Sequence, residues 1–471
     1  MSRDVPCRDE VLWASILNAK AYEGAIRERQ GQHKFKSKEL AVRGPKGHGD
    51  NVDRISELPD DILISIISRL TLREAIATSI LSARWRHLYH HTARLDFPSF
   101  SDTLPFHQVL HQEIDKRFLD YIKMINRTLD SYKGNHVKEF KIHMYSFEGA
   151  NIEKWLDFVL SRGVESIRLH IDHVIFNSLQ ITNLFGMKCG TSLTCGLKEI
   201  SLSNVQVSDG EVQLLLANFP LLETLSITGS DMFRNLLIVG HSGMKLKRID
   251  ISYAVRMKSI EIHGMTNLVS LTYITCKPAI LRLSDVPKLT DVTIALCRHC
   301  TLSSIFHEVP SCVLSQLLQL HIFLDPRTIP YSAGNCEYVN VKRLTLAYRS
   351  DYSSISLYGM VETCPSLEEL EIKLLRSCPF KVIKCTCGEG LYNFPPTKKF
   401  SPNLRKLKLT GYIGCPCELE YVLYIIKNAV TLKLVIVKPC DLSQDIAIIV
   451  KGRIRLHLRP QIPSSVNLVV I

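Results

Sequence analysis

A six-residue pattern of apolar and polar positions recurs along most of this chain. It places apolar residues at its first, fourth and sixth positions and other residues between them. The spacing of the last two apolar positions is the period of two that a half-buried β-strand shows. The pattern occurs eleven times, as VKEFKI from 137, VESIRL from 164, LKEISL from 197, the last six residues of LLETLSI from 221, LKRIDI from 246, LVSLTY from 268, LTDVTI from 289, LLQLHI from 317, VKRLTL from 341, LEELEI from 367 and LRKLKL from 404.

The recurrence of this unit predicts the architecture of the larger part of the chain. Successive units begin about 21 to 37 residues apart, as expected for irregular leucine-rich repeats. One unit cannot bury its apolar face alone, whereas a stack of units builds a continuous core. We therefore predict an α/β fold, an irregular leucine-rich-repeat solenoid with parallel strands on its concave face and helical segments such as 152–161 and 212–218 on its convex side. An unrelated α/β domain with regular strands is the alternative.

The segment 53–97 shows a helical pattern instead. Thr71 and Glu74 have the spacing of a capping box, which predicts that a second helix starts there, after a first. Ser82 is placed to cap a third helix, which carries Trp85. The apolar stripe of the first helix consists of Ile62, Leu63, Ile66, Ile67 and Leu70.

This helical segment carries a surplus of apolar side chains. About 45 residues form a small core, near the size at which a partner is usually needed for stability. The first helix alone offers more large aliphatic side chains than such a bundle can enclose. The surplus is explained equally well in two ways. Another protein buries it, or the segment is an ordinary helical subdomain packed against the rest of the chain.

The string D-R-I-S-x-L-P-D-D-I-L…I-S-R-L…E-A…T-S-I-L-S-x-R-W-R within this segment resembles the F-box of the plant F-box, leucine-rich-repeat and FBD family. The resemblance implies docking on a Skp-type adaptor, which would link the chain to a cullin ubiquitin ligase. The sequence departs from the family's pattern at Leu72, where proline is common, at Ala83, where a basic residue is common, and at Tyr89, where tryptophan is common. The docking residues carried over by position are Leu58, Pro59, Ile62, Leu63, Ile66, Leu81, Ser82 and Trp85.

Residues 418–437 predict a helix followed by a strand. Their phrase E-L-x-x-V-x-x-I-I-K-N-A-x-x-L-K resembles the core of the FBD segment of the same family.

The start of the chain is polar, basic and broken by Gly and Pro, which is typical of disordered or linker segments. The predicted domains are a basic N-terminal extension at 1–50, the F-box at 53–97, a helix-capped leucine-rich-repeat solenoid at 107–412, an FBD-like segment at 413–440 and a divergent C-terminal tail at 441–471.

Composition restricts the class of protein further. Apolar residues make up 46% and charged residues 22% of the 471 residues, as in ordinary globular proteins. No run of about 18 uncharged apolar residues occurs, and the N-terminus lacks the apolar core of a secretory signal, so neither a membrane helix nor export is predicted. The 15 cysteines form no short disulfide framework, which favours reduced thiols and a location in the nucleus and/or cytoplasm.

No motif for catalysis or nucleotide binding occurs in the chain. It contains no GxxxxGK[ST], no GxGxxG after a strand, no GxSxG and no HExxH. We therefore predict no enzyme activity and no cofactor. Cys385-x-Cys387 and Cys415-x-Cys417 are the strongest candidates for zinc ligands, but one intervening residue is fewer than the two to four typical of structural zinc sites. No metal site is predicted.

The polar positions of each unit alternate with the apolar ones, so they point to the exposed face of the predicted sheet. Acidic and basic residues are mixed there, and the uniform basic stripe with interleaved aromatics that nucleic acid favours is absent despite the net charge of +12. The face therefore suits a protein surface or a small polar ligand, and a solvated face whose contacts lie in loops is the alternative. The candidate target-binding residues are Arg168, Arg248, Asp250, Arg343, Glu369, Glu371, Lys406 and Lys408.

Together, the repeats and the resemblance predict the substrate-recognition subunit of an SCF-type cullin ubiquitin ligase. The F-box would bind a Skp-type adaptor, and the repeats would bind a protein target for ubiquitination, without a membrane partner. The alternative is a non-ligase repeat scaffold or a nucleic-acid-binding protein with a degenerate F-box. The sequence identifies neither the target nor the pathway, and it leaves open whether a small ligand binds in the solenoid.

Overall fold

In a computed structural model, the contacts divide the chain into two compact units. The first comprises Met1–Gln206 and Leu214–Leu222, and the second comprises Val207–Gln213 and Glu223–Ile471. The predicted extension at 1–50 and the predicted cap Ser82 lie outside the described residues. The structure describes residues 58–78, 84–100, 111–144, 150–172, 196–241, 243–275, 279–296, 308–324, 338–349, 361, 363–375, 401–440 and 444–471.

Three short helices occur at the start of the first unit. Helix α1 spans Asp60–Ile67, helix α2 spans Leu72–Ala77, and a 3₁₀ helix spans Trp85–His91. The predicted capping box is present: the Glu74 amide donates to Thr71 Oγ1 at 3.3 Å, and the Thr71 amide donates to Glu74 Oε2 at 2.9 Å. These two bonds satisfy amide groups that have no partner within the helix, which is why α2 begins at Leu72.

Parallel strands and longer helices form the rest of the first unit. The strands are hydrogen-bonded in the order β1-β2-β3-β4, each beside its neighbour in the chain. Crossover connections join them, as parallel pairing requires. The described elements are β1 (Arg94–Asp96), α3 (His111–Asp130), β2 (Glu139–Met144), α4 (Ile152–Leu160), β3 (Ser166–Ile171) and β4 (Glu199–Ser203).

The core of the first unit is built from the apolar positions of the repeated pattern. In β2, Phe140, Ile142 and Met144 are buried, and the residues between them are half-buried. Trp155 of α4 is also buried, and its indole Nε1 donates to Asn126 Oδ1 of α3 at 2.7 Å. Helix α3 turns an apolar stripe inward, which consists of Phe118, Ile122, Ile125 and Leu129.

A second, longer series of parallel strands runs through the second unit. Helix α5 (Asp209–Asn218), whose residues are divided between the two units, comes before this series in the chain. The described elements from there are β5 (Thr224–Thr228), β6 (Asn235–Val239), β7 (Arg248–Ser252), β8 (Ser259–His263), β9 (Ser270–Ile274), β10 (Ile280–Ser284), β11 (Asp291–Leu296), α6 (Ser311–Ser315), β12 (Gln319–Leu324), β13 (Arg343–Arg349), β14 (Glu369–Leu375) and β15 (Lys406–Tyr412). The main sheet of this unit has the strand order β5-β7-β9-β11-β12-β13-β14-β15.

Strands β6, β8 and β10 form a separate three-stranded parallel sheet, which the repeated pattern did not predict. Each strand buries two aliphatic residues. Each also follows a strand of the main sheet after a short connection: β6 follows β5, β8 follows β7 and β10 follows β9. Just after β6 and β8 the two backbones approach so closely that a Cβ atom on Gly240 would collide with the carbonyl oxygen of Gly264. Gly264 itself has a φ of +67°, which glycine adopts readily. The buried pairs are Leu236 and Ile238, Ile260 and Ile262, and Leu281 and Leu283.

The C-terminal part of the second unit extends the main sheet. The helix and strand predicted within 418–437 are α7 (Pro416–Asn428) and β16 (Leu434–Pro439). Further elements follow in the region predicted as a divergent tail, and β17 pairs in parallel with β16. They are α8 (Gln444–Arg453), a π-helix (Ile454–Leu458), a 3₁₀ helix (Arg459–Gln461) and β17 (Asn467–Val470).

The predicted fold class is confirmed: helices at the N-terminal end of the described chain precede a leucine-rich-repeat domain of parallel strands. Each of the eleven predicted units coincides with a strand of a main sheet, from β2 to β15. Within the described ranges, no helix combines the length and apolar character needed to cross a membrane.

Candidate functional sites

Helix α1 has one face in a small hydrophobic core. Leu63 and Ile67 are fully buried and cluster with Ala75 of α2 and with Trp85 and Leu88 of the 3₁₀ helix. The partly buried residues around this cluster include Leu58 and Tyr89. This core holds the three helices together, so its members stabilise the domain rather than form its surface.

The other face of α1 is apolar and open to solvent. Ile62 is 47% exposed and Ile66 is 40% exposed, and they are four residues apart and therefore adjacent on one side of the helix. Ile76 of α2 is 44% exposed. Fully burying an aliphatic side chain of this size is worth about 1.5–3 kcal/mol. The α1 apolar face, defined as Ile62 and Ile66, is therefore a candidate docking surface.

The structure separates the predicted adaptor-binding residues into groups. Pro59, Ile62 and Ile66 are exposed, and Leu58 is half-buried. In contrast, Leu63 and Trp85 lie in the core, so their role in this structure is packing. Leu81 and Ser82 lie outside the described residues.

The three departures from the F-box pattern also differ in their surroundings. Leu72 is buried at the first position of α2, and Tyr89 packs against the edge of the small core. Both therefore serve the packing of the helices. Ala83 lies outside the described residues.

A charged ladder crosses the exposed sheet face of the first unit. Arg168 of β3 contacts a carboxylate on each side: its Nη1 lies 3.0 Å from Glu139 Oε1 of β2, and its Nη2 lies 3.0 Å from Glu199 Oε2 of β4. Its Nε also donates to Glu199 Oε1 at 3.1 Å, which makes that pair bidentate. The hydrogen bonds to Glu199 raise the pKa of the Arg168 guanidinium. This candidate target-binding residue is thus held rigidly by its neighbours.

Two histidines and an aspartate converge at the end of the same face. His143 of β2 is in register with His170 of β3, and their ring centroids are 4.1 Å apart. His143 Nε2 hydrogen-bonds Asp172 Oδ1, and His170 Nε2 lies 3.5 Å from the same oxygen. Burial raises the pKa of Asp172, but the hydrogen bonds from both histidines outweigh it and hold this pKa well below its usual range.

Sequence reasoning missed this histidine–aspartate cluster. A signal was present, because each histidine directly follows the last apolar position of its unit, in KIH and RLH. Equivalent positions of adjacent repeats become neighbours when the strands pair in register. The Cys pairs considered as zinc ligands are different: Cys385 and Cys387 lie outside the described residues, and Cys415 is buried.

In the second unit, five predicted target-binding residues lie together on β13, β14 and β15. Glu371 Oε1 lies 2.9 Å from Lys408 Nζ, and its other oxygen lies 3.6 Å from Lys373 Nζ. Glu369 Oε2 lies 3.5 Å from Lys406 Nζ and 3.9 Å from Arg343 Nε. In these pairs, the acidic residues lie on β14, and their basic partners on the neighbouring strands lie on β13 and β15.

The remaining candidates, Arg248 and Asp250, lie on β7. Strands β9, β11 and β12 separate β7 from β13 in the main sheet, so the predicted set does not form one patch in the second unit. Arg248 is exposed, and Asp250 is half-buried. Target contact by any of these residues stays a prediction.

The Glu371 carboxylate stabilises the fold in a pH-dependent way. Burial raises the pKa of Glu371, but the hydrogen bond from Lys408 and the charges of Lys373 and Lys408 outweigh it and lower this pKa below its usual range. A carboxylate with a lowered folded-state pKa adds stability above its unfolded pKa of about 4.3, and this contribution disappears as pH falls through the folded value.

We expect Glu371→Gln to lower the free energy of unfolding by about 1 kcal/mol at pH 7, because it removes charge-assisted hydrogen bonds. The loss should shrink progressively below about pH 4, where the wild-type carboxylate is also being neutralised. Urea unfolding across this pH range measures both effects. Glu368→Gln is the control, since its pair with Lys342 is more exposed and should contribute less. An equal loss at every pH would contradict this account.

The geometry defines a leucine-rich-repeat protein that carries three short helices ahead of its repeats. The F-box domain model matches residues 55–88. The model described as "At1g61320/AtMIF1, LRR domain" matches residues 128–448, which is more than half of the chain. The chain therefore belongs to the F-box/leucine-rich-repeat family.

Proteins of Arabidopsis thaliana are similar to this chain. F-box/LRR-repeat protein At3g03360 is 29% identical over 273 residues, 52% of this chain and 50% of that protein. F-box/FBD/LRR-repeat protein At5g53840 is 22% identical over 482 residues, 92% of this chain and 98% of that protein. F-box protein At5g03100 is 29% identical over 234 residues, 46% of this chain and 66% of that protein. The chain thus spans half the length of the first relative and nearly all of the second.

Proposed function

We propose that this protein is the substrate-recognition subunit of an SCF-type cullin ubiquitin ligase. The F-box would bind a Skp-type adaptor, and through it a cullin, while the repeats bind a protein target. The observation that carries this proposal is the α1 apolar face. Ile62 and Ile66 stay exposed although the described helices share a buried hydrophobic core, and they lie within the segment that matches the F-box model.

In this role the chain positions the target and performs no chemical step itself. Two binding sites on one chain hold the target near the enzyme that transfers ubiquitin, which raises the target's effective concentration there. Partner proteins perform the transfer, so the chain needs neither a catalytic group nor a cofactor. With such partners, the location that we propose for the protein is the nucleus and/or the cytoplasm.

The exposed sheet face supports a protein target rather than nucleic acid. Several of its basic side chains pair with acidic ones on neighbouring strands, as Arg168 does with Glu139 and Glu199. Nucleic-acid affinity arises mainly from basic groups that neutralise phosphates, and paired groups are less available for this. On a protein target of mixed charge, acidic and basic groups can replace the partners that these side chains have within the sheet.

The test is co-purification of the full chain with a Skp-type adaptor. We expect Leu58→Ala combined with Pro59→Ala to lower adaptor recovery at least tenfold, because both residues border α1 and Pro59 is exposed. Circular dichroism melting should show the repeats still folded. Ubiquitination assays with the adaptor and cullin then test the ligase role.

Equal adaptor recovery by this variant and the wild type would contradict the proposed docking. Failure of the wild-type chain to bind the adaptor would overturn the function itself. In that case, a steep fall of RNA or DNA affinity with salt would instead indicate a nucleic-acid-binding protein.

A further inference from the structure

The histidine–aspartate cluster of the first unit has the donor set of a metal site. The ligand atoms of His143, His170 and Asp172 all lie within 4.8 Å of one another. The histidine side chains are 28% and 25% exposed, and that of Asp172 is 27% exposed. The cluster is therefore partly exposed, and an ion from solvent can reach it.

The backbone holds these three residues in place. His143 and His170 are directly paired in the β2–β3 register. The Asp172 amide donates to the Met144 carbonyl at 2.8 Å, which fixes the aspartate just beyond β3. On the other side, the Phe100 amide donates to the His143 carbonyl at 3.0 Å. A site on paired strands is better preorganised than one on a free loop.

We propose that His143, His170 and Asp172 bind a divalent first-row transition ion such as Zn²⁺. Two imidazole nitrogens and one carboxylate oxygen are ligands that zinc accepts at about 2.0–2.2 Å. Tetrahedral ligands at that distance lie about 3.4 Å apart. The separation of 3.5 Å between His170 Nε2 and Asp172 Oδ1 already matches this value. To admit the ion, His143 and His170 bind it through Nε2 in place of their hydrogen bonds to Asp172. The proton on each Nε2 moves to Nδ1 of the neutral ring or is released to solvent, as metal binding by histidine requires.

The ligand types decide the class of ion. Ca²⁺ and Mg²⁺ prefer sites made of oxygen atoms, whereas imidazole favours zinc, copper, iron and nickel. Three protein ligands leave one tetrahedral position open, which is a feature of zinc sites that bind water or a further ligand. Both histidines share the exposed sheet face with Arg168, because they alternate with the buried residues of their strands. The ion would therefore lie on the face that we propose for target binding.

An ordinary His–Asp ion pair would be a simpler explanation of the contact between His143 and Asp172. The chain contains such a pair for comparison. His321 Nε2 lies 3.5 Å from Asp291 Oδ1 on paired strands of the second unit. The convergence of a second imidazole on the same oxygen distinguishes the cluster from this pair. His321→Ala is therefore the control for His143→Ala and His170→Ala.

The experiment is calorimetric titration of the EDTA-treated, reduced full chain with ZnCl₂. We expect one site of micromolar or tighter affinity, weakened at least tenfold by His143→Ala and by His170→Ala and unchanged by His321→Ala. Asp172→Asn is nearly isosteric, so it removes a charged ligand with little risk to the fold. Thermal melting confirms that each variant is folded.

The 15 cysteines require a second readout, because thiolates also bind zinc. Titration with Co²⁺ provides it, since cobalt bound by thiolates shows an intense near-ultraviolet charge-transfer band and cobalt bound by imidazole and carboxylate does not. We expect a visible cobalt spectrum that lacks this band and is lost in His170→Ala. Binding that carries the thiolate band and survives His143→Ala, or no detectable binding at millimolar metal, would overturn the proposal. Neither result would bear on adaptor binding.

Discussion

Replacing Ile62 and Ile66 together by aspartate is expected to weaken binding of a Skp-type adaptor at least about 100-fold while leaving the domain folded. Each isoleucine, if buried by the adaptor, would contribute roughly 1–2 kcal/mol, given that it is already about half-buried in the free chain. An aspartate in the same apolar interface must also lose its hydration. Together these losses exceed the roughly 2.7 kcal/mol that corresponds to a 100-fold change. Isothermal titration calorimetry with purified adaptor measures the effect.

A matched control tests whether position or added charge causes this loss. Leu119 on the outer side of α3 is 51% exposed and is equally an aliphatic residue on a helix. Leu119→Asp should leave both adaptor affinity and melting temperature unchanged. If Leu119→Asp weakened binding as much as the double variant, the α1 apolar face would not be the docking surface.

Leu63→Ala, a change on the opposite side of the same helix, is expected to destabilise the F-box by about 2–5 kcal/mol. Leu63 is fully buried against Ala75, Trp85 and Leu88, so the shorter side chain leaves a cavity. For a domain of this small size, such a loss is a large part of the total stability. Hydrogen exchange of the α1 amides reports this local change even if the repeats stay folded.

The control here is Ile62→Ala, one residue earlier and on the exposed face. It should change amide protection in α1 by no more than about 0.5 kcal/mol, as surface substitutions usually do. Leu63→Ala should weaken adaptor binding only through unfolding, so adaptor in excess should restore α1 protection. Equal protection in the two variants would mean that α1 does not divide into a core face and a docking face.

The strands could be predicted from the sequence because their signal is local. VKEFKI places Phe140 and Ile142 two residues apart, and this spacing alone turns both to the same side. The helical stripe of α1 was harder to interpret. Ile62, Leu63, Ile66 and Ile67 all fit one broad stripe. Leu63 and Ile67 are the buried pair because they face residues of the other two helices, including Trp85.

The features that sequence reasoning missed depend on contacts between distant segments. His143 and His170 meet only because β2 and β3 pair without a shift across the connection that contains α4. Strands β6, β8 and β10 were missed for a related reason. Their apolar alternation is too short to distinguish a strand from a turn, and they gain stability by pairing with one another.

The shared register of the repeats also determines which insertions and deletions the chain can accept. From β11 to β14 every strand pairs with the next residue by residue, although the connections between them differ in length. Added residues in a connection cost only a slowly growing closure entropy. A single residue added within a strand would instead exchange its buried and exposed side chains beyond that point. Length variation among related chains should therefore concentrate in the connections, and the strands should keep a constant length while their exposed residues change.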